Sequence, residues 1–438
     1  MRAKLSILIG ACFLCGCAAV SQNTETNSAS DKRNTASALQ NNPVVSQLAM
    51  TDDSLRKSQR NEDLMLFESW PQETTLNNDH IVDVVPVWIE AIDSAEKTLD
   101  FEEYYVTHEP DTGLDRVVQA LKRAGERGVK IRFIIDSKMA SGDYQPDVLT
   151  AIPNLELRAI NFDSMTGGIQ HAKFFIVDGK TLYFGSQNFD WRSLEQISEM
   201  GARLQPEILV DPIKDIFELD WILAENTQTP VNAGKCYGKT NLKYHGEDTI
   251  VQTVASPNNY LPCAEMWDLP KIIDMINSAQ KTVAVQLLNY ATHNYDKTEF
   301  KELDDALIEA AGRGVKVRLL VSDWSTKPKY MSDLKRLAQI DNIETRMIEV
   351  PEHSSGFVPY SRTIHSKFLV VDTDKTWLGT SNWAGDYFYK SRNIGLVATG
   401  RKLNAELTQS FDHYWNSEYA IPVDPNVDYP VKNQAKKE

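Results

Sequence analysis

His171-Ala-Lys173-Phe-Phe-Ile-Val177-Asp178-Gly-Lys-Thr181-Leu-Tyr-Phe-Gly185-Ser186-Gln-Asn188 reads as two short apolar strands, His171 to Val177 and Thr181 to Gly185, around the hairpin signal Asp178-Gly179. A second copy, His365-Ser-Lys367-Phe-Leu-Val-Val-Asp372-Thr-Asp-Lys-Thr-Trp-Leu-Gly379-Thr380-Ser-Asn382, keeps the same spacing around Asp372 to Asp374. Residues two apart on a strand share a face, so each lysine stands beside its histidine. Asn188 and Asn382 follow the second strand of each hairpin, and histidine, lysine and asparagine converge at one sheet end. Two copies in one chain imply one composite site holding two histidines.

The duplication extends beyond the motifs. Ser94-Ala-Glu-Lys-Thr98 recurs as Ser278-Ala-Gln-Lys-Thr282, and Arg127-Gly-Val-Lys-Ile-Arg132 as Arg313-Gly-Val-Lys-Val-Arg318. Each half runs in the same order: amphipathic helix, apolar strand (99–105; 282–288), helix (114–127; 300–313), apolar strand (129–136; 315–322). That alternation predicts an α/β fold: two pseudo-symmetric sandwich halves with mixed, largely parallel sheets packed around one shared site. The expected boundaries are a signal peptide at 1–16, a lipidated N-terminus and disordered tether at 17–63, and a first half at 64–228. A linker at 229–265, a second half at 266–423 and a solvated tail at 424–438 follow.

The chemistry follows from the residue types. One imidazole attacks phosphorus and the other protonates the departing oxygen, while Lys173, Lys367, Asn188 and Asn382 neutralise the non-bridging oxygens as charge builds. Such a reaction calls for no metal and no cofactor. Asp178 and Asp372 sit at turns, where aspartate serves the backbone, and together with Gly185, Ser186, Gly379 and Thr380 they are expected to be structural. The remaining histidines show no metal-ligand spacing with one another or with the cysteines.

Phe184-Gly-Ser-Gln-Asn-Phe-Asp-Trp-Arg-Ser-Leu194, Gly379-Thr-Ser-Asn-Trp383 and Phe411-Asp-His-Tyr-Trp-Asn-Ser417 resemble the phospholipase D superfamily. The likeness covers roughly Phe67 to Pro422 and is to the branch holding animal endolysosomal phospholipase-D-like proteins and poxviral envelope relatives. The resemblance implies a metal-independent phosphoric diester hydrolase working through a phosphohistidine. It also implies an acidic residue that holds a histidine ring. Eleven residues after Asn188 stands Glu199, whereas eleven after Asn382 stands Asn393. The expectation is therefore that Glu199 orients His171 as nucleophile, with His365 as general acid. Phospholipid head groups are the first-choice substrate and the 5′ ends of single-stranded nucleic acid the alternative. A catalytically silent lipid-binding or assembly protein is the reading from another class.

Composition bears on the partner. The net charge of −15, about −17 without residues 1–16, gives no help to non-specific polyanion binding, and no basic run interleaved with aromatics appears. Arg2 and Lys4 precede an apolar run, Leu5 to Leu14, too short to span a membrane, and Leu14-Cys-Gly-Cys17 resembles a bacterial lipobox. Cys17 is the expected lipidated residue. Alanine at position 18 favours an exported, outer-membrane lipoprotein, the alternative being a soluble secreted or periplasmic form. The polar stretch up to residue 63 would then act as a coil spanning roughly 35–40 Å between anchor and catalytic unit. Once the signal leaves and Cys17 carries lipid, Cys236 and Cys263 remain as one candidate disulfide pair. The aromatics after each motif, Phe189, Trp191, Trp383, Tyr387, Phe388 and Tyr389, suit either a cleft mouth or the core. Monomer or oligomer is left open.

Overall fold

A computed structural model describes residues 52–142, 144–231, 234–432 and 434–435. The expected signal segment and Cys17 lie outside the described residues. The first half builds one sheet from β1 (Leu64–Ser69), β2 (Val82–Asp83), β3 (Thr98–Glu102), β4 (Lys130–Asp136), β5 (Leu155–Ile160), β6 (Phe174–Val177), β7 (Thr181–Gly185) and β8 (Ile197–Leu204). Their spatial order is β2-β1-β8-β7-β6-β3-β4-β5. The second half contributes β9 (Thr240–Tyr244), β10 (Glu247–Ser256), β11 (Thr282–Gln286), β12 (Lys316–Ser322), β13 (Ile343–Ile348), β14 (Thr363–Ile364), β15 (Phe368–Val371), β16 (Lys375–Gly379), β17 (Asn393–Thr399) and β18 (Ala420–Pro422). Its sheet runs β9-β10-β17-β16-β15-β11-β12-β13-β18, while β14 leaves it to join β8 of the first sheet.

Connection length explains which strands run parallel. Helices α1 (Val84–Ser94), α2 (Gly113–Glu126), α3 (Glu207–Glu225), α4 (Asp268–Asn277), α5 (Glu302–Gly312) and α6 (Arg401–Trp415) are the principal ones. The β3-α2-β4 and β11-α5-β12 crossovers are long enough to turn the chain back, so β3-β4-β5 and β11-β12-β13 are parallel. The motif hairpins are not, so β6-β7 and β15-β16 are antiparallel, as are the pairs that flank them. The sheets are thus mixed, as expected, and partly parallel. Helix α2 shows why a crossover packs: Leu114, Val117, Val118, Leu121 and Ala124 recur at helical spacing and are all buried, and the Thr112 side chain accepts from Asp115 N at its start.

Strand alternation divides the interior. Phe174 and Ile176 of β6 point into the same core as Phe368 and Val370 of β15, together with apolar faces of α3 and α6. Their neighbours Phe175 and Val177, or Leu369 and Val371, point into separate outer cores with α1 and α2, or α4 and α5. The two halves therefore share a middle layer and face one another across it.

Three boundaries move. Residues 52–59 are helical rather than coil. Leu55 packs against the first outer core, Asp52 Oδ1 accepts from Asp83 N, and Arg203 Nη2 donates to Gln59 O and Glu62 O. A polar segment unable to fold alone borrows a core already built. The expected linker contains β9 and β10, and β10 pairs with β17 over seven residues, so the second sheet begins at Thr240. Thr249, Gln252 and Thr253 in that strand blur its apolar pattern, yet all three are buried. The tail is docked through Lys432, whose ammonium meets Asp323 and Glu349, and through Gln434 O, which accepts from Tyr360 N. Cys236 and Cys263 are joined in a disulfide. No helix of the described residues is long and apolar enough to cross a membrane.

Candidate active site

Each histidine is pinned by its backbone to the opposite half. His171 N donates to Arg392 O and Arg392 N to Ile169 O, both at 2.9 Å. His365 N donates to Ser198 O at 2.7 Å, next to the parallel pairing of β14 with β8. The side chains cross over in the same sense. His171 Nδ1 meets Asn393 Oδ1 at 3.0 Å, and His365 Nδ1 meets the Glu199 carboxylate at 2.8 and 2.9 Å. Glu199 therefore orients His365, not His171 as the sequence led us to expect. Its strand runs out of the first half towards the second half's histidine, and only the packing of the halves reveals that crossing. The expectation that His171 is the nucleophile rested on that carboxylate, which the structure places on His365.

The networks fix the tautomers. Asn393 Nδ2 donates to Tyr387 O at 2.8 Å, and its Oδ1 accepts from Thr380 Oγ1 at 3.0 Å as well as facing His171. The His171 proton accordingly sits on Nδ1, as does that of His365 opposite a carboxylate, leaving both Nε2 atoms for chemistry. Glu199 Oε1 also accepts from Ser193 Oγ at 3.0 Å.

Lys173 Nζ donates to His171 O at 2.5 Å and Lys367 Nζ to His365 O at 2.6 Å, so each lysine folds back under its own histidine. All four groups are buried. Burial pushes Lys367 down to about 7 against the pull of Glu199, and burial together with Lys367 holds Lys173 well below the ordinary lysine range. Burial and the two lysines likewise push both imidazoles well below their usual value, so both rest neutral. Glu199 is raised to about 8 by burial, with Lys367 opposing. A dry site whose two lysines lie in each other's field holds both ammonium charges readily only when an anion joins them, and so favours an anionic ligand. The Oδ1 atoms of Asn188 and Asn382 are buried without a hydrogen-bond partner; an amide oxygen only accepts, so it is through Nδ2 that either residue would donate to a phosphate oxygen.

The structural residues behave as their types suggest. Asp178 takes up φ 51° and accepts from Glu96, Lys97 and Thr98 N; Asp372, also at φ 51°, accepts from Gln280, Lys281 and Thr282 N. A Cβ on Gly185 would fall 2.8 Å from Gly201 Cα, which is why the end of β7 needs glycine. Ser186 Oγ accepts from Met200 N and Thr380 Oγ1 from Ile394 N, tying each motif turn to the strand that carries Glu199 or Asn393. Among the aromatics, Tyr387 reaches the His171 ring at 4.9 Å, whereas Phe189, Trp383 and Phe388 belong to the core.

Several functional neighbours escaped the sequence reading. Tyr104 packs edge-on against His171 at 5.3 Å. Arg392, fully buried, grips Asp220 of α3 through two bonds of 2.6 and 2.7 Å and fixes the strand start that carries Asn393. Glu103 lies buried in the field of Lys173, its carboxyl raised by burial with Lys173 opposing. The one available signal was charge inside otherwise apolar strands, at Glu102-Glu103 and Arg392.

The family model described as "Cardiolipin synthase, PLD-like domain" matches residues 88–221 and 272–415, one match to each half. The chain is 30% identical over 413 residues to Phospholipase D Z of Dictyostelium discoideum, covering 87% of this chain and 96% of that one. It is 29% identical over 418 residues to the 5′-3′ exonuclease PLD3 of Xenopus laevis, covering 85% and 84%. A phosphatidylserine synthase structure from Haemophilus influenzae superposes with a TM-score of 0.58 at 13% identity, covering 85% and 91%, a likeness of fold alone. With two motif copies closing one site across the halves, the chain belongs to the phospholipase-D-like family of phosphodiesterases.

Proposed function

We propose that the protein hydrolyses the head-group phosphodiester of phospholipids through a phosphohistidine on His365, without a metal. The carrying observation is the crossed pair of histidines over two buried lysines, which supplies nucleophile, acid and charge neutralisation from side chains alone. His365 Nε2 attacks phosphorus, and the P–O bond to the leaving alcohol breaks as His171 supplies its proton. His171 then takes a proton from water, whose oxygen displaces His365 and releases the phosphomonoester. His171 rests neutral because of burial and then the two lysines, so it acquires its proton as the anionic substrate offsets the lysine charges. The Glu199 carboxylate stabilises the cationic imidazole formed on His365, the part a carboxylate plays better than an amide.

Three features favour phospholipid: a relative named phospholipase D matched over 96% of its length, an acidic chain, and an N-terminal stretch that resembles a lipobox. The name of the exonuclease relative supports 5′-end cleavage of single-stranded nucleic acid as the second reading. Protein lacking residues 1–51 is expected to release head groups from phosphatidylethanolamine vesicles, to form phosphatidyl-ethanol when ethanol is supplied, and to keep full activity in EDTA. Shortening of 5′-hydroxyl DNA with intact vesicles would overturn the lipid reading in favour of the nuclease. Abolition by EDTA would overturn the metal-free step.

We also propose that the protein is an outer-membrane lipoprotein acylated on Cys17. Alkyne fatty acid fed to cells should label the wild type in the outer-membrane fraction. A Cys17→Ser protein that remains labelled and membrane-bound excludes this anchor.

A further inference from the structure

A cavity of about 390 Å³ lies in the first half, away from the histidines, between α1 and strands β1, β7 and β8. Arg56 and Arg60 of the N-terminal segment line it, with Glu90, Thr181, Tyr183 and Arg203. Arg203 stands four residues beyond Glu199 on β8, roughly 13 Å along the strand. Its surroundings are unusual for an arginine. It is 6% exposed, and among the described residues it makes no ion pair. Nη2 donates to two carbonyls, and Nε has no hydrogen-bond partner. Burial lowers its pKa, and Tyr183, Glu62 and Asp63 oppose that only through space. A dry cation with a free donor is expensive to keep unless something anionic completes it.

The other cations set the ligand's charge. Arg56 is occupied by Asp52, Asp53 and Glu90, whereas Arg60 stands 3.7 Å from Glu90 with its side chain 66% exposed. With Arg56 occupied, Arg203 and the loosely held Arg60 are the two guanidinium groups left to meet a ligand, and two such forks suit a dianionic phosphate better than a single carboxylate.

The duplication shows that the charge is not a by-product of the fold. The second half has the corresponding cavity, about 250 Å³, between α4 and strands β10, β16 and β17, with Lys239, Lys271 and Lys375. There Lys375 occupies the place of Thr181, and Val397 that of Arg203. The halves share the cavity but place their cations at different positions. Only the first cavity holds a buried, unpaired one.

We propose that the first-half cavity is a second, non-catalytic anion site that takes a dianionic phosphate group, carried on a soluble molecule or on a lipid head group. The test is equilibrium dialysis of radiolabelled inorganic phosphate against the full chain, in a Lys173→Met/Lys367→Met background that removes the catalytic grip. Binding should persist there and weaken at least ~10-fold in Arg203→Met and in Arg60→Glu. Arg60→Glu leaves the Arg203 carbonyl bonds intact, so its effect is not loss of fold. Lys271→Ala should change nothing. Co-sedimentation with vesicles of phosphatidylcholine and phosphatidic acid then separates the sources: dependence on Arg203 identifies the lipid head group, independence the soluble phosphate. Phosphate binding that is absent from the background, or equal in all variants, overturns the site.

Discussion

At the residue scale, the two histidines differ in the kind of group they face, a carboxylate oxygen for His365 and an amide oxygen for His171. A carboxylate stabilises the cationic ring that carries phosphate, whereas an amide fixes the ring without holding it charged, as a group that alternately gives and takes a proton requires. Each His→Ala change is expected to lower kcat by at least ~10³-fold. A p-nitrophenyl phosphodiester, whose leaving group needs no acid, should leave phosphate on His365 in the His171→Ala protein when the reaction is stopped in denaturant without acid. Mass spectrometry finding the label on His171 in His365→Ala protein would reverse the assignment. Glu199→Gln, which makes the partners alike, should cost kcat ~10²-fold or more with little change in KM.

At the element scale, each motif hairpin is clamped to the strand beside it by its turn aspartate, which collects three backbone N–H groups. Burial works to raise these carboxyls, yet the three bonds hold both below the usual aspartate value. A depressed folded pKa stabilises the protein above the unfolded value of about 4, and this stability is lost as pH falls through the folded value. Asp178→Ala should therefore destabilise by ~1–2 kcal/mol at pH 7, and the difference from wild type should shrink below pH 4. Urea midpoints at the two pH values measure it. A fall in kcat with unchanged stability would contradict the structural role.

At the scale of the whole molecule, the halves are held in register by contacts that also position the site. Arg392 and Asp220 are both fully buried and belong to different halves. Removing one partner leaves the other charge dry, so Arg392→Ala is expected to cost ~3–5 kcal/mol in urea denaturation. Arg392→Met/Asp220→Leu, which removes both charges, should recover much of that stability. Its activity should stay low, because Asn393 and the His171 backbone lose their anchor. Recovery of both together would show that Arg392 is structural only.

The sequence by itself determined whatever depends on local pattern. The strand and helix order, the two hairpins with their aspartate turns, and the histidine, lysine and asparagine set were legible because periods of 2 and 3.6 and fixed motif spacing survive without tertiary context. Tertiary structure decided what depends on neighbours far apart in the chain. The hairpin geometry around β6 and β15 made the pairs beside them antiparallel and confined the crossover-built parallel runs to β3-β4-β5 and β11-β12-β13. Residues 52–63 gained order from a core they do not contain, and β10 was hidden by polar residues that only its partners bury. Glu199 shares a half with His171 and precedes His365 by 166 residues, yet it serves His365. Sequence proximity favoured the wrong histidine, because the site closes only where the two halves meet.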